Sequence, residues 1–339
     1  MVAFGIASFA LFIVLQFKSV RKSISLCCST KNTANNAPPP LPADLPICPS
    51  VEEEKKRVHK EKTGKCALVI NDLTKTFGGY TAVNELCLAV DRRECFGLLG
   101  VNGAGKTTTF NILTGQSFAT SGEATIGGRD VTELVAIGYC PQYDALLPDM
   151  TGRETLEILA QMHGFDHYKE KVELVLKCVG MEGNANKRIR YCSGGQKRKI
   201  SVGVALLSPT QLIILDEPTA GVDPQARREI WELLLWCREN SKSAIVLTSH
   251  SMDECEALCS RIAVLNKGQV IAIGTSQDLK SLYGNNYTMI LTLNNDEQRE
   301  DIVKRVAEKI PKSVFKTAET NRTLNLKWQT KPNEPLTNT

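Results

Sequence analysis

Residues 100–107 read Gly100-Val101-Asn102-Gly103-Ala104-Gly105-Lys106-Thr107, which fits the pattern G-x-x-x-x-G-K-[ST]. An apolar run, Cys95-Phe-Gly-Leu-Leu, leads into the loop, and Thr107 and Thr108 open a run to position 113 that suits a helix. Phosphate binding needs this order of strand, loop and helix. Glycines let successive main-chain N–H groups close around phosphate oxygens, and the helix N-terminus adds its partial positive charge. Lys106 is placed to reach the β and γ phosphates of a nucleotide, and the Thr107 hydroxyl to hold Mg2+. Every residue from Gly100 to Thr108 is therefore a candidate for nucleotide contact.

Outward from this loop, the next signal is Leu212-Ile-Ile-Leu-Asp216-Glu217. Four apolar residues ending in two carboxylates place both acids at the C-terminal edge of a parallel strand, where α/β sheets bind ligands. Asp216 is expected to face Mg2+, directly or through water, and Glu217 to orient the attacking water as general base. The alternative is an ordinary acidic turn. Gln142, in Tyr139-Cys-Pro-Gln-Tyr, is a further candidate for the metal or the attacking water, against a plain surface glutamine. Ser193-Gly194-Gly195-Gln196, ahead of the basic run Lys197-Arg-Lys, offers main-chain donors at a helix start. It is either a second phosphate-binding end or a simple helix cap. His250, in Thr248-Ser-His-Ser, follows another apolar strand and is a candidate γ-phosphate contact, a structural role being the alternative.

Composition frames these motifs. With 339 residues there is room for one large domain or two medium ones, and 42% hydrophobic with 23% charged residues is ordinary for a globular chain. The formal charge of +4, from 41 Lys+Arg against 37 Asp+Glu, is too small to argue for nucleic acid. Twelve cysteines without framework spacing, beside a nucleotide motif, read as free thiols in a reducing compartment. Residues 2–17 are nearly unbroken apolar sequence, followed by Lys18, Arg21 and Lys22. The expectation is the end of a membrane-spanning helix at 1–17 with everything downstream in the cytosol. A signal or anchor segment and a core helix are the alternatives. Residues 18–66 read as a linker, with six prolines between 32 and 49 and then a charged run, 51–65, that is either a solvated helix or more linker and is expected to be solvated.

From position 67 the chain turns globular, with strand-like runs at 67–70, 87–90, 95–99, 211–215 and 244–248. The last two are short and uninterrupted, as strands covered on both faces of a parallel α/β sheet are. Helical patterns at 153–163, 171–179 and 227–238 lie among them.

Taken together and in this order, the motifs resemble the ATP-binding cassette of ABC proteins over about 67–282. Gly100–Thr107 resembles Walker A, Gln142 the Q-loop, Ser193–Gln196 the signature and Leu212–Glu217 Walker B. Ala220-Gly-Val-Asp223 resembles the D-loop and His250 the switch histidine. The wording of Gly138-Tyr-Cys-Pro-Gln-Tyr-Asp-Ala and Leu247-Thr-Ser-His-Ser-Met-Asp-Glu-Cys is similar to the A subfamily of lipid-exporting full transporters, especially the second cassette. The resemblance implies a P-loop NTPase fold, with a RecA-like core around a mostly parallel sheet. A helical subdomain and a small antiparallel β subdomain complete such a cassette. It implies ATP and Mg2+ as ligands, with catalysis by Glu217, His250 and Gln142. Metal contacts would come from Thr107, Gln142 and Asp216. It implies a partner cassette whose nucleotide meets Ser193, Gly194, Gly195, Gln196 and Asp223 of this one, and adenine stacked on an upstream aromatic, Phe77 or else Tyr80. It also implies membrane domains as partners, no nucleic acid, and a membrane location with the cassette on the cytoplasmic side. The activity implied is ATP hydrolysis that powers lipid transport, with a soluble ABC ATPase as the rival. A partial α+β regulatory domain is expected at 283–330, with a strand near 287–293, a helix at 298–310 and a hairpin at 313–328. A polar tail follows at 331–339.

Two departures from the family pattern bear on the site. Cys192 stands where leucine is usual before the signature, and the segment 127–138 is shorter than expected ahead of Gln142. A P-loop kinase or GTPase would lack Ser193–Gln196 and His250.

Overall fold

The computed structural model describes residues 48–60, 66–133, 135–207, 210–283, 286–292, 305, 314–317 and 323–329. The expected membrane segment at 1–17, most of the linker, the tail and all of the 298–310 helix except Arg305 lie outside these residues. Among the described residues no helix is long and apolar enough to cross a membrane. The chain divides into two units, 1–273 and 274–339, so the division falls ahead of the boundary expected at 283.

The first unit opens with helix α1 (Pro49–Lys60), two long strands β1 (Cys66–Phe77) and β2 (Tyr80–Asp91), then β3 (Cys95–Gly100) and α2 (Lys106–Leu113). Short strands β4 (Ser121–Ile126), β5 (Arg129–Asp130) and β6 (Gly138–Cys140) follow. Next come helices α3 (Gly152–Met162), α4 (Tyr168–Cys178) and α5 (Gly194–Leu207). The unit closes with β7 (Leu212–Asp216), α6 (Pro224–Asn240), β8 (Ala244–Ser249), α7 (Met252–Leu258), β9 (Arg261–Asn266) and β10 (Gln269–Gly274).

Two sheets result. One runs β2-β1-β4-β5, with β1 antiparallel to both β2 and β4. The other runs β10-β9-β3-β8-β7-β6, and within it the pairs β9–β3, β3–β8, β8–β7 and β7–β6 are parallel. β7 and β8 are buried at every position, which is why their sequences are continuous rather than alternating. Parallel strands need helical crossovers, and α2, α5, α6 and α7 supply them. Their starts are locally encoded. Thr151 and Glu154 form a reciprocal capping box on α3, and Asp223 caps α6 ahead of Pro224. This is the mostly parallel core, helical segment and antiparallel sheet expected from the sequence.

The charged run after position 50 is helical in its first part, one of the two readings, but one face of it is buried rather than solvated. Its first part is α1, which packs on β1 and β2 with Val51, Glu54 and Val58 buried. The i, i+3, i+7 stripe is hidden in the sequence because its middle member is a glutamate. Glu54 is tolerated there because Oε1 accepts the Ala89 N–H at 3.0 Å and Oε2 accepts from Arg261 at 2.7 Å.

The second unit holds α8 (Ser276–Tyr283), β11 (Asn286–Thr292), β12 (Val314–Thr317) and β13 (Thr323–Gln329). β13 lies in the centre, antiparallel to β11 and β12, so β12 and β13 make the expected hairpin.

Candidate nucleotide site

Parallel register brings four segments to one sheet edge. Gly100 ends β3, Leu99 pairs with Ser249 of β8, Asp216 of β7 pairs with Thr248, and Cys140 of β6 pairs with Leu215. The loops leaving these strand ends therefore carry Lys106, His250, Glu217 and Gln142 to a common place.

The P-loop turns tightly into α2. Gly103 and Gly105 have φ of 81° and 101°, the left-handed region that side chains rarely enter. At Gly105 a Cβ would also lie 2.6 Å from the Ala82 carbonyl oxygen of β2, so strand and loop touch backbone to backbone. Lys106 is buried, and its Nζ donates to the Gly100 and Val101 carbonyls at 2.6 and 3.2 Å. Nζ also lies 3.9 Å from Glu217 Oε1.

Asp216 is 1% exposed. Its Oδ1 accepts from the Thr248 hydroxyl at 2.5 Å, whereas Oδ2 is buried without a hydrogen-bond partner among the described residues. Burial pushes the Asp216 pKa above the ordinary carboxylate range, and the neighbouring Glu217 charge adds to this. The Thr248 and Thr107 hydroxyls and Lys106 pull it back. Glu217 follows with φ of 46°, a strained backbone for a non-glycine residue. Its N–H donates to Thr248 Oγ1 at 2.9 Å, its Oε2 accepts from Gln142 Nε2 at 3.1 Å, and His250 Nδ1 lies 3.7 Å from Oε1. Lys106, Gln142, Asp216, Glu217 and His250 are thus gathered in one cluster. Gln142 arrives there although β5 and β6 have only two and three residues, so the short segment before it does not displace it.

Other expected residues sit elsewhere. Ser193 and Gln196 bond each other reciprocally, Ser193 N–H to Gln196 Oε1 at 3.1 Å and Gln196 N–H to Ser193 Oγ at 3.2 Å, a cap on α5. Among the described residues no hydrogen bond joins this cap to the P-loop. Gly195 is fixed by packing, since a Cβ there would lie 2.7 Å from Ala226 Cβ and 3.1 Å from Asp223 Oδ2. Cys192 is buried, with its thiol on the Arg188 carbonyl. Phe77 and Tyr80 face each other across the β1–β2 turn, both about half exposed, and Lys75 Nζ stands 4.8 Å from the Phe77 ring centroid.

Two residues of this region were not singled out from the sequence. Arg198, within the basic run after the signature, is buried. It donates to the carbonyls of Pro141, Gln142, Asp216, Glu217 and Pro218 at 2.6–3.3 Å. It therefore ties α5 to the backbone on either side of Gln142 and Glu217. Glu254, also buried, accepts from Thr219 Oγ1 and Ser249 Oγ at 2.6 Å each and from Trp231 Nε1 at 3.3 Å. It joins the segment after Glu217 to the residue before His250. A basic run reads as solvated, and only the three-residue spacing of Arg198 from Gly195 and Ser201, both buried on the same helix face, marks it as inward.

Comparison with known proteins agrees with this geometry. Residues 83–220 match the family described as ABC transporter. The ABC transporter ced-7 of Caenorhabditis elegans is 70% identical over 326 residues, which cover 96% of this chain and 19% of that protein. Human phospholipid-transporting ATPase ABCA3 is 47% identical over 243 residues, 69% of this chain and 14% of that protein. The chain thus spans less than a fifth of the length of these relatives. Among solved structures, a dimeric ATP-binding cassette in a post-hydrolysis state, bound to ADP and Pi, shares the fold. Its TM-score is 0.57 at 23% identity, over 62% of this chain and 98% of that one. The P-loop cluster, the two-sheet architecture and these matches lead to one assignment: the chain belongs to the ABC transporter family, as a cassette of A-subfamily type.

Proposed function

We propose that this cassette binds ATP with Mg2+, hydrolyses it, and thereby powers transport of phospholipid through membrane domains of the protein to which it belongs. The observation that carries the reading is the convergence of Lys106, Asp216 and Glu217 at one sheet edge, with Gln142 and His250 beside them. Main-chain N–H groups of Gly103 to Thr108 and the N-terminus of α2 suit phosphate oxygens, and Lys106 adds the charge. The donor set also fits Mg2+: Asp216 Oδ2 is a buried oxygen with no hydrogen-bond partner among the described residues, and the Thr107 hydroxyl is beside the same carboxylate. Bound Mg2+ would offset phosphate charge. Hydrolysis adds water across the β–γ phosphoanhydride bond to give ADP and phosphate. Glu217 accepts the water proton, Gln142 fixes the Glu217 carboxylate through its 3.1 Å hydrogen bond, and His250 contacts the γ-phosphate.

The finer parts of the reading rest on the relatives. Phospholipid as cargo follows the name of human ABCA3, and pairing with a second cassette through Ser193–Gln196 and Asp223 follows the dimeric solved cassette. Residues 1–17 as the end of a membrane helix, a cytoplasmic cassette, adenine stacked on Phe77, and a regulatory domain beyond 283 complete it.

The test is Mg2+-dependent phosphate release by the full chain together with equilibrium binding of a labelled ATP analogue. Lys106→Ala removes a charge-assisted contact of about 1.5–3 kcal/mol, so affinity should fall by roughly 10–100-fold. Wild-type affinity in Lys106→Ala, or no phosphate release from the parent chain with Mg2+, would reject the reading.

A further inference from the structure

We propose that His59, Asp72 and Cys87 form a divalent transition-metal site, of the kind zinc occupies, which fastens α1 to the β1–β2 sheet. These residues take no part in the nucleotide cluster and come from three elements: His59 from the last turn of α1, Asp72 from β1 and Cys87 from β2. His59 Nε2 lies 3.1 Å from Asp72 Oδ2, the Cys87 thiol donates to Asp72 Oδ1 at 3.0 Å, and all three ligand atoms lie within 4.8 Å of one another. A tetrahedral zinc ion with bonds of about 2.0–2.3 Å separates its ligands by about 3.3–3.7 Å. Two of the separations are already close to these values, and side-chain rotations that bring the ligand atoms from within 4.8 Å of one another to this spacing, a closure of about an ångström at most, would admit the ion.

The backbone is arranged for this meeting. Asp72 sits at φ 46°, where the β1–β2 register breaks between Ile70 and Leu73. A bulge of this kind re-aims a side chain, and aspartate tolerates the left-handed region better than most residues. The Asp72 N–H also donates to Cys87 Sγ at 3.2 Å, a bond that supports a thiolate ligand from the second layer. Cys87 is buried while His59 and Asp72 are about half exposed, which leaves an open side for ion entry and a water as fourth ligand.

The chemistry balances without any redox change. Burial and the Asp72 carboxylate push the Cys87 thiol up to about 11, so the thiol is protonated at neutral pH. Binding replaces the S–H bond by a metal–thiolate bond and releases one proton to water. Lys55 is the cation whose charge reaches both Asp72 and Cys87. Two anionic ligands neutralise a dication, so Lys55 faces a formally neutral centre. A sulfur, a nitrogen and a carboxylate oxygen together favour zinc-type ions over Mg2+ or Ca2+.

The rival account is three polar groups that merely satisfy one another, and metal titration of the full chain separates the two. Cobalt(II) is the probe, because zinc is spectroscopically silent and cobalt bound by a thiolate absorbs in the near ultraviolet. The expected result is one equivalent of cobalt with a thiolate band, displaced by one equivalent of zinc, and a rise in heat stability with zinc. Cys87→Ser should abolish the band, and His59→Ala, at a half-exposed position that leaves the core intact, should weaken zinc by at least about 10-fold. Absence of a band, a band that survives Cys87→Ser, millimolar zinc affinity, or equal affinity in His59→Ala would each overturn the proposal.

Discussion

Burying a carboxylate at a strand end costs free energy unless both oxygens are satisfied, and among the described residues Asp216 has a hydrogen-bond partner on Oδ1 alone. Its raised pKa means that the folded chain favours the protonated form. The stability linked to that proton is present below the ordinary carboxylate value near 4 and is lost as pH rises through the raised value. Asp216→Asn removes the titration while keeping an oxygen for Thr248. With a chelator present, the melting temperature of the parent chain should therefore decline relative to Asp216→Asn as pH rises above the ordinary carboxylate value, leaving the variant the more heat-stable at neutral pH. Mg2+ with ATP reverses the order. At 100 times Kd the ligand contributes about 2.7 kcal/mol to the parent chain, roughly 5–10 °C for a domain of this size, and little to the variant. A parent chain that gains stability over the variant as pH rises without metal would refute this account of the carboxylate.

At the scale of elements, α5 is the part that connects most of the site. Arg198 on its first turns holds five carbonyls that flank Gln142 and Glu217, so the helix sets the backbone from which both side chains extend. Arg198→Lys keeps the charge but replaces a planar five-donor fork with a single nitrogen. Stability in urea should drop by about 2–4 kcal/mol, as expected when a buried charged network is broken. If the contacts also position catalysis, kcat should fall by at least about 10-fold with little change in KM, whereas an unchanged kcat would reduce Arg198 to a structural tie.

The legibility of the sequence follows the same physics. Residues 95–108 and 212–217 announced strand, loop and helix because continuous apolar runs, glycine placement and terminal carboxylates each have one economical reading. The strands β4, β5, β6, β9 and β10 give no clear signal in the sequence, being short or mixed in burial. The buried face of α1 is not legible in the sequence because its Glu54 is matched by Ala89 and Arg261, partners far away in the chain. Arg198 and Glu254 stayed unread for a related reason, since a buried charge declares itself only when its distant acceptors or donors are in place. Asp72 and Cys87 meet across a bulge that no periodicity reveals.

For the whole molecule the open matter is how one cassette completes another. The cluster of Lys106, Asp216 and Glu217 is assembled within this chain, but Ser193 and Gln196 are spent on capping α5 and make no bond to that cluster among the described residues. In the proposed pairing, a nucleotide held by the P-loop meets this cap from a second cassette. Glu217→Gln keeps size and hydrogen bonding while removing basicity, so hydrolysis should fall by roughly 10²–10⁴-fold with ATP affinity retained. ATP that persists on the P-loop should then hold two chains together through Ser193–Gln196, and Glu217→Gln with ATP should elute as a dimer. Adding Ser193→Arg should return it to a monomer, because a long side chain fills the space for the γ-phosphate. Size-exclusion chromatography with light scattering, in detergent so that residues 1–17 do not drive association, reads both outcomes. Normal hydrolysis by Glu217→Gln would remove Glu217 from its role. A monomer that retains ATP would leave the site intact but require a different second cassette, such as one carried elsewhere in a longer chain.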